Sequence, residues 1–468
     1  MLFTLDKMEC RKNLYQQIYE RLKEHMMNGR LQANEKLPSK RQLAEQLQVS
    51  VNTVTNAYEQ LLAEGYIYTK ERKGYYVENI TPFIQRGSLQ KLPKDLKECT
   101  QNKEGWLSLS HMTSDISMFP VQEWMKCQQK AIANHKRELS ELGHFQGPYM
   151  VRQTIARMIA MSRGVVCEPE QIVIGAGTQL LIRNLMGLSK RDSVVAVEDP
   201  GYSRFYTLLK NMGFDVRALP IDDKGIAMDE VDDCSINYLF VTPSHQFPTG
   251  KIMPINRRIE LLNWSTQGQD RYIIEDDYDS EFKYETDSIP SLQSLDQNQR
   301  IIYTGTFSKT ILPGLRISYM VLPPDMLRKY RKHYRHLMQS SNALSLYTLY
   351  YFIETGAYAR HLKRMTHHYE SKRKELMGQI RERFGEKVAI EDIPAGLHFL
   401  ARFQTKKSYE EVEEDAKRKK LEIYSMRRFM LANKYQTPGV VDLVLGFANI
   451  QEEQIPEAVK RLERVLLG

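Results

Sequence analysis

The residues Thr306 to Arg316, TFSKTILPGLR, place Lys309 among small hydroxyl residues soon after a short apolar run of Ile301, Ile302 and Tyr303. The run reads as a buried strand, so Lys309 lies where a strand gives out into a loop. A lysine held there away from water has its pKa lowered, and the neutral amine forms a Schiff base with a carbonyl. The spacing therefore points to a covalent anchor for pyridoxal phosphate. Thr306 and Ser308 offer hydroxyls to the phosphate, and Arg316 offers a fork of donors. Taken alone, the stretch also reads as a surface lysine in a polar loop, so other segments must supply the rest of a site.

Three segments do so. After Ile174 comes Gly175-Ala176-Gly177-Thr178-Gln179 and then a helical pattern. Glycines ahead of a helix N-terminus let backbone N–H groups meet a phosphate, although a plain tight turn has the same look. After Val197 comes Glu198-Asp199-Pro200-Gly201-Tyr202, a rigid turn whose tyrosine stacks on a planar ring or fills a core. After Ile274 comes Glu275-Asp276-Asp277-Tyr278. A carboxylate at the mouth of a buried strand needs a partner. A protonated pyridine nitrogen is that partner, and the Tyr278 hydroxyl reaches the ring's phenolic oxygen. A metal site or a solvated turn is the alternative. No spaced histidines complete a metal site, since His367 and His368 are adjacent and His245 stands apart.

These segments need a scaffold. Short apolar runs at Ile172–Ile174, Val194–Val197, Tyr238–Thr242, Tyr272–Ile274, Ile301–Tyr303 and Ile317–Val321 alternate with helical stretches. The alternation predicts a mostly parallel sheet with helices on both faces, an α/β architecture that binds ligands beyond the carboxyl ends of its strands.

The order of glycine loop, tyrosine, Asp276, Tyr278, Lys309 and Arg316 resembles the fold-type I aminotransferases over residues 106–468, with a large domain and a small one from about residue 326. One departure stands out. That family's Asn-Pro-x-Gly, whose asparagine bonds the ring oxygen, is Phe247-Pro248-Thr249-Gly250 here. The resemblance thus implies cofactor binding more firmly than efficient transamination.

Residues 1–78 read differently. Leu14, Ile18, Leu22 and Met26 form an every-fourth-residue stripe; Ser39 caps a helix over Lys40–Leu47; Gln48-Val49-Ser50 makes a turn; and a third helix runs from Val51 to about Ala63. Two helices across a three-residue turn give helix-turn-helix spacing. Tyr66–Tyr68 and Tyr75–Val77 then flank Lys70-Glu71-Arg72-Lys73-Gly74, a hairpin with a basic tip that suits phosphates or a minor groove. The stretch from Leu37 to Val77 resembles the winged helix of GntR-type regulators. That resemblance implies contacts to double-stranded DNA from Ser39, Arg41, Ser50, Asn52, Thr53, Lys73 and Gly74. Val51 and Thr55 stand where some of that family carry arginine. A three-helix interaction domain that binds no DNA is the alternative.

A GntR head joined to an aminotransferase-like body resembles the MocR subgroup, and TPSHQFPTG has that subgroup's form. Further runs, GHFQGPYMVR, PGYSRFY, YIIEDDYDSEF, AGLHF and EIYSMRRF, resemble its γ-aminobutyrate (GABA)-responsive regulators. This implies an effector carboxylate gripped by Arg428 and assisted by Arg204, with Tyr202 close to the ring; Arg427 is adjacent to Arg428.

Composition bounds the rest. The 468 residues suit two or three domains, and 42% hydrophobic with 26% charged content is that of a globular protein. No run approaches a membrane span and Met1–Arg11 lacks a signal pattern, so the expected location is cytoplasmic. Cys10, Cys99, Cys127, Cys167 and Cys234 are too scattered for a disulfide framework. A net charge of +8 leans only mildly toward an anionic partner, and residues 1–78 hold twelve Lys and Arg against ten Asp and Glu. Between Asn79 and Gly105 periodicity disappears among Pro82, Gly87, Ser88, Pro93, Lys91, Lys94 and Lys97, which reads as a flexible linker.

The expected whole is a regulator that senses a small amino acid, GABA first, by forming an external aldimine in place of the Lys309 bond. A homodimer would read separated half-sites, with RNA polymerase a further partner, and would activate GABA-utilisation genes and repress its own. A working aminotransferase, or a regulator of vitamin B6 synthesis that senses pyridoxal phosphate itself, competes with this expectation.

Overall fold

Apolar stripes on three helices close the N-terminal unit. The computed structural model describes residues 13–79, 92–98, 103–232, 235–285, 289–432 and 437–468. It divides into two compact units, Met1–Asn102 and Lys103–Gly468. In the first, α1 (Leu14–Met27), α2 (Lys40–Leu47) and α3 (Val51–Ala63) bury Ile18, Leu22, Leu43, Val54, Tyr58 and Leu61 in one core. Ser39 and Gln42 form a capping box at α2, and Gln48, at φ 52°, stops that helix so that the chain can turn into α3. Strands β1 (Ile67–Lys70) and β2 (Gly74–Val77) pair antiparallel from Ile67↔Val77 to Lys70↔Gly74.

The expected linker falls mostly on residues 80–91 and 99–102, outside the described residues, as do Cys10, Cys99 and Cys234. Within 92–98 there is one short turn, Lys94–Leu96, with no buried residue. Cys127 and Cys167 are free thiols.

The second unit is built on two sheets. After the short β3 (Leu107–Ser108) come β4 (Ile172–Gly175), β5 (Val194–Asp199), β6 (Asp215–Asp222), β7 (Gly225–Ile226), β8 (Tyr238–Val241), β9 (Tyr272–Asp277), β10 (Ile301–Thr306) and β11 (Ser318–Val321). They lie in the order β4-β11-β10-β9-β8-β5-β6-β7. Strands β10, β9, β8, β5 and β6 run parallel, while β11 runs antiparallel to both β10 and β4. The sheet is therefore mixed, with β7 antiparallel to β6 at one edge and β11 antiparallel within it: the segment from β10 to β11 holds no crossover helix, and Phe307 N–H bonds the Ile317 carbonyl at 3.0 Å. Because β4 and β10 oppose the same neighbour, they share a direction. The carboxyl ends of β4, β5, β8, β9 and β10 thus lie along one edge. Alternate residues enter opposite cores: Ile172, Ile174, Tyr303 and Tyr319 on one face, Val173, Ile302 and Met320 on the other.

The second sheet, β12 (Val388–Ile390), β13 (His398–Gln404), β16 (Val440–Gly446) and β15 (Tyr424–Ser425), is antiparallel. β14 (Leu421–Glu422) pairs with β3. This sheet shares a core with the long helix Ala357–Phe384, through Met365, Tyr369 and Leu376, and with Ile455–Leu466. Met326, Leu327 and Tyr330 pack into the large sheet's core, and the second core takes over only along the helix that carries Met365. Among the described residues, no helix is long and apolar enough to cross a membrane.

Candidate functional site

The end of β9 carries three consecutive carboxyls, and strand alternation divides their surroundings. Glu275 accepts from the backbone N–H groups of Leu292 and Gln293 at 2.7 and 2.8 Å. Asp277 accepts from Arg163 Nε at 2.7 Å and the Tyr303 hydroxyl at 2.6 Å. Asp276, between them, lines a cavity of about 180 Å³ and accepts the Thr304 hydroxyl at 2.8 Å. Burial pushes its carboxyl up to about 7, against the pull of that hydroxyl.

Lys309 follows β10 into the same cavity. Burial brings its amine down to about 8, and it donates to the His111 carbonyl. Because the β10–β11 connection doubles back, Thr306 and Ser318 are cross-strand partners, and the Ser318 hydroxyl donates to Thr306 Oγ1 at 2.8 Å. The Ser308 N–H also bonds Thr306 Oγ1, at 3.2 Å. Thr178 Oγ1 reaches Ser318 Oγ at 3.4 Å from the start of the helix Thr178–Met186. Gly177, at φ +104°, precedes that helix, and a Cβ there would sit 2.0 Å from Arg316 Nη2. Gly177, Thr178, Gln179, Thr306, Ser308 and Arg316 all line the cavity. Ser318 belongs with them and was not anticipated, because its place depends on the antiparallel turn.

Aromatic groups close the other side. Phe247, 5% exposed, lies edge-on to Tyr202, Tyr278 and Phe429, with ring centroids 5.7, 5.9 and 5.0 Å away. Arg204 lines the cavity. Arg428 does not line it; its exposed guanidinium stacks on the Tyr424 ring at 4.5 Å. Tyr424 in turn packs against His111, whose imidazole is held down to about 3 by burial and then by the charges of Lys309, Arg428 and Arg204. Arg427 pairs instead with Glu410. His111 was missed in the sequence, having no motif around it.

His245 does not stand apart as its sequence isolation implies. His245, Asp279 and His398 are buried together with ligand-type atoms within 4.8 Å of one another, because β13 returns His398 to this edge. The Tyr278 hydroxyl bonds His245 rather than facing the cavity alone.

The donor set fits a phosphorylated pyridine aldehyde. A depressed amine stands for the carbonyl, hydroxyls with Arg316 and a helix N-terminus for the phosphate, and a carboxyl for the ring nitrogen. The cradle at Gly177 has no room for a side chain.

The other unit presents its polar groups separately. Ser39 and Ser50 cap α2 and α3 by accepting the Gln42 and Thr53 N–H groups at 3.3 and 3.2 Å. Ser50 Oγ also meets Thr53 Oγ1 at 2.8 Å. Arg41, Asn52, Lys73 and Gly74 are exposed, and Gly74 has φ +109° at the hairpin tip.

A carboxyl whose folded pKa is raised stabilises the fold fully below its unfolded pKa of 3.8, and that contribution is lost as pH rises through about 7. Asp276→Asn removes it, while Glu198 and Glu275, also near 7, keep part of the slope. The melting temperature of the cofactor-free variant should therefore fall less than wild type between about pH 5 and pH 8. Identical slopes in scanning fluorimetry would contradict the burial argument.

Residues 106–462 match the family model for aminotransferase class I and II, and residues 14–77 match that for the gntR family of bacterial regulatory proteins. The chain is 39% identical to the helix-turn-helix-type transcriptional regulator YdeL of Bacillus subtilis over 96% of both chains. It is 28% identical to the probable rhizopine catabolism regulatory protein MocR of Rhizobium meliloti, over 97% of this chain and 94% of that one. A multiple substrate aminotransferase from Thermococcus profundus superposes with a TM-score of 0.69 at 22% identity, over 78% of this chain and 91% of that chain. The chain belongs to the GntR/MocR family of transcriptional regulators, in which a DNA-binding head is joined to an aminotransferase class I and II body whose cofactor is pyridoxal 5′-phosphate.

Proposed function

We propose that this regulator carries its cofactor on Lys309 and answers to a small amino acid, with GABA the first choice. The observation that supports this is one cavity lined by Lys309, Asp276 and Arg204. The cofactor, when bound, supplies a carbonyl that condenses with a primary amine. Asp276 holds the ring nitrogen, Tyr278 the ring oxygen and Tyr202 the ring face. Gly177, Thr178, Gln179, Thr306, Ser308 and Arg316 hold the phosphate. The effector's amine competes with Lys309, and its carboxylate is drawn by Arg428 and Arg204, both of which act electrostatically on His111. The runs GHFQGPYMVR, PGYSRFY and EIYSMRRF resemble GabR, the GABA-responsive regulator, and the choice of GABA rests on them.

In this reading Ser39, Arg41, Ser50, Asn52, Thr53, Lys73 and Gly74 face DNA. Two copies form a homodimer in the cytoplasm whose heads take repeated half-sites, with RNA polymerase the further contact. The complex activates GABA-utilisation genes and represses its own. The full set of Lys309, Asp276 and Tyr278 also favours a second reading, a working aminotransferase, and multiple turnover with GABA and an oxo-acid at about 1 per second or faster would select it. A response to pyridoxal phosphate alone would select a regulator of vitamin B6 synthesis.

Lys309→Ala should abolish the visible absorbance of the holoprotein; a surviving band would place the anchor elsewhere. Arg428→Ala should leave that band intact and weaken the spectral response to GABA about tenfold or more, as expected for losing a bidentate pair. An unchanged titration would reject the assignment. Lys73→Ala should weaken binding to all duplexes alike and reduce the salt slope by about one. A change in sequence preference alone would rule out a phosphate contact.

A further inference from the structure

His245 and Asp279, each with a side chain 2% exposed, hold no part of the cofactor in the proposed arrangement. The Asp279 carboxylate oxygens lie 3.1 and 3.2 Å from His245 Nδ1. The Tyr278 hydroxyl lies 3.0 Å from the same nitrogen and donates to the His245 carbonyl at 3.0 Å. Asp279 also accepts the Leu397 N–H at 3.3 Å. Gly396, at φ +71°, packs over the pair so closely that a Cβ would sit 2.0 Å from His245 Cε1 and 2.7 Å from Asp279 Oδ2. Buried groups this tightly enclosed keep one arrangement.

The trio with His398 has the make-up of a cation site; two of its ring nitrogens are engaged by protein groups, while His245 Nε2 is buried with no hydrogen-bond partner. His398 Nε2 lies 3.2 Å from the Pro248 carbonyl, which requires an N–H there, and His245 Nδ1 is shared by Asp279 and Tyr278.

We propose that His245 and Asp279 are positioning residues for Tyr278: Asp279 fixes the imidazole, and the imidazole Nδ1 holds the phenol oxygen in place, so that the single hydroxyl hydrogen turns from the His245 carbonyl to the cofactor's ring oxygen when the cofactor is bound. The pair compensates for the asparagine replaced by Phe247. This rests on the reading that the cofactor is bound to Lys309. A hydroxyl donating to the ring oxygen draws away charge that would otherwise hold the proton on the nitrogen joined to Lys309, so it lowers the pH at which that proton leaves. Among the described residues, Asp276, Asp277, Glu198, Lys309, His111 and His398 are the other titratable groups around this cluster, and all stay unchanged in the variants that test the pair.

The test is a pH titration of the visible band in the holoprotein. Tyr278→Phe should raise the midpoint by about one unit, a tenfold change. Asp279→Asn and His245→Gln should each raise it by at least about half as much. Asp279→Asn should add nothing once Tyr278 is Phe, as expected of residues acting through one another. Asp279→Asn keeps the side-chain shape and decides the matter should His245→Gln fail to fold. A wild-type protein with no visible band would refute the Lys309 reading itself. A band whose midpoint ignores Asp279→Asn, or moves equally in both backgrounds, would overturn the positioning role. So would a stoichiometric divalent cation in the dialysed protein that is lost in His398→Ala.

Discussion

A carboxyl group held out of water at the end of a central strand is the constraint from which the pocket derives. Three occur in a row on β9, and leaving any of them charged and unanswered costs several kcal/mol. Glu275 is answered by two backbone N–H groups and Asp277 by Arg163 and Tyr303. Asp276 receives the Thr304 hydroxyl, and burial pushes it up to about 7. A cationic ring nitrogen is what such a group lacks. In the proposed arrangement the cofactor's electronics and the protein's burial cost meet at this one side chain.

The antiparallel β11 has a comparable influence. A helical crossover after β10 would have carried the chain away from Lys309. The tight return instead sets Ser318 beside Thr306 and brings Arg316 against Gly177. Residues from three segments thereby line one wall of the cavity, the proposed anion cradle, in which no single contact has to be strong.

Phe247 joins the pocket to the second sheet. It packs with Leu400, Met426, Phe429 and Val444, and the Gly201 N–H bonds the Phe429 carbonyl at 2.9 Å. An effector in the proposed site would touch both subdomains at this seam. Differential contact of that kind is what a ligand needs in order to shift a conformational equilibrium.

Local pattern was enough to locate the six strand runs of the large sheet, the three helices and hairpin of the head, and the strand-end positions of Asp276 and Lys309. Each depends on local period and on the residues that come directly after an apolar run, and none needs distant partners. Strand β6, next to the short edge strand β7 and with Pro220 and polar residues along it, carried too weak a pattern to be seen, and the small sheet was not anticipated either. Packing in three dimensions selected which of three adjacent carboxyls faces the cavity. It also distinguished Arg427, paired with Glu410, from Arg428, stacked on Tyr424, and gathered His111, His245, Asp279 and His398 around Phe247. His111 and His398 lie far apart along the chain, and their meeting depends on the packing of two sheets, which no local pattern encodes.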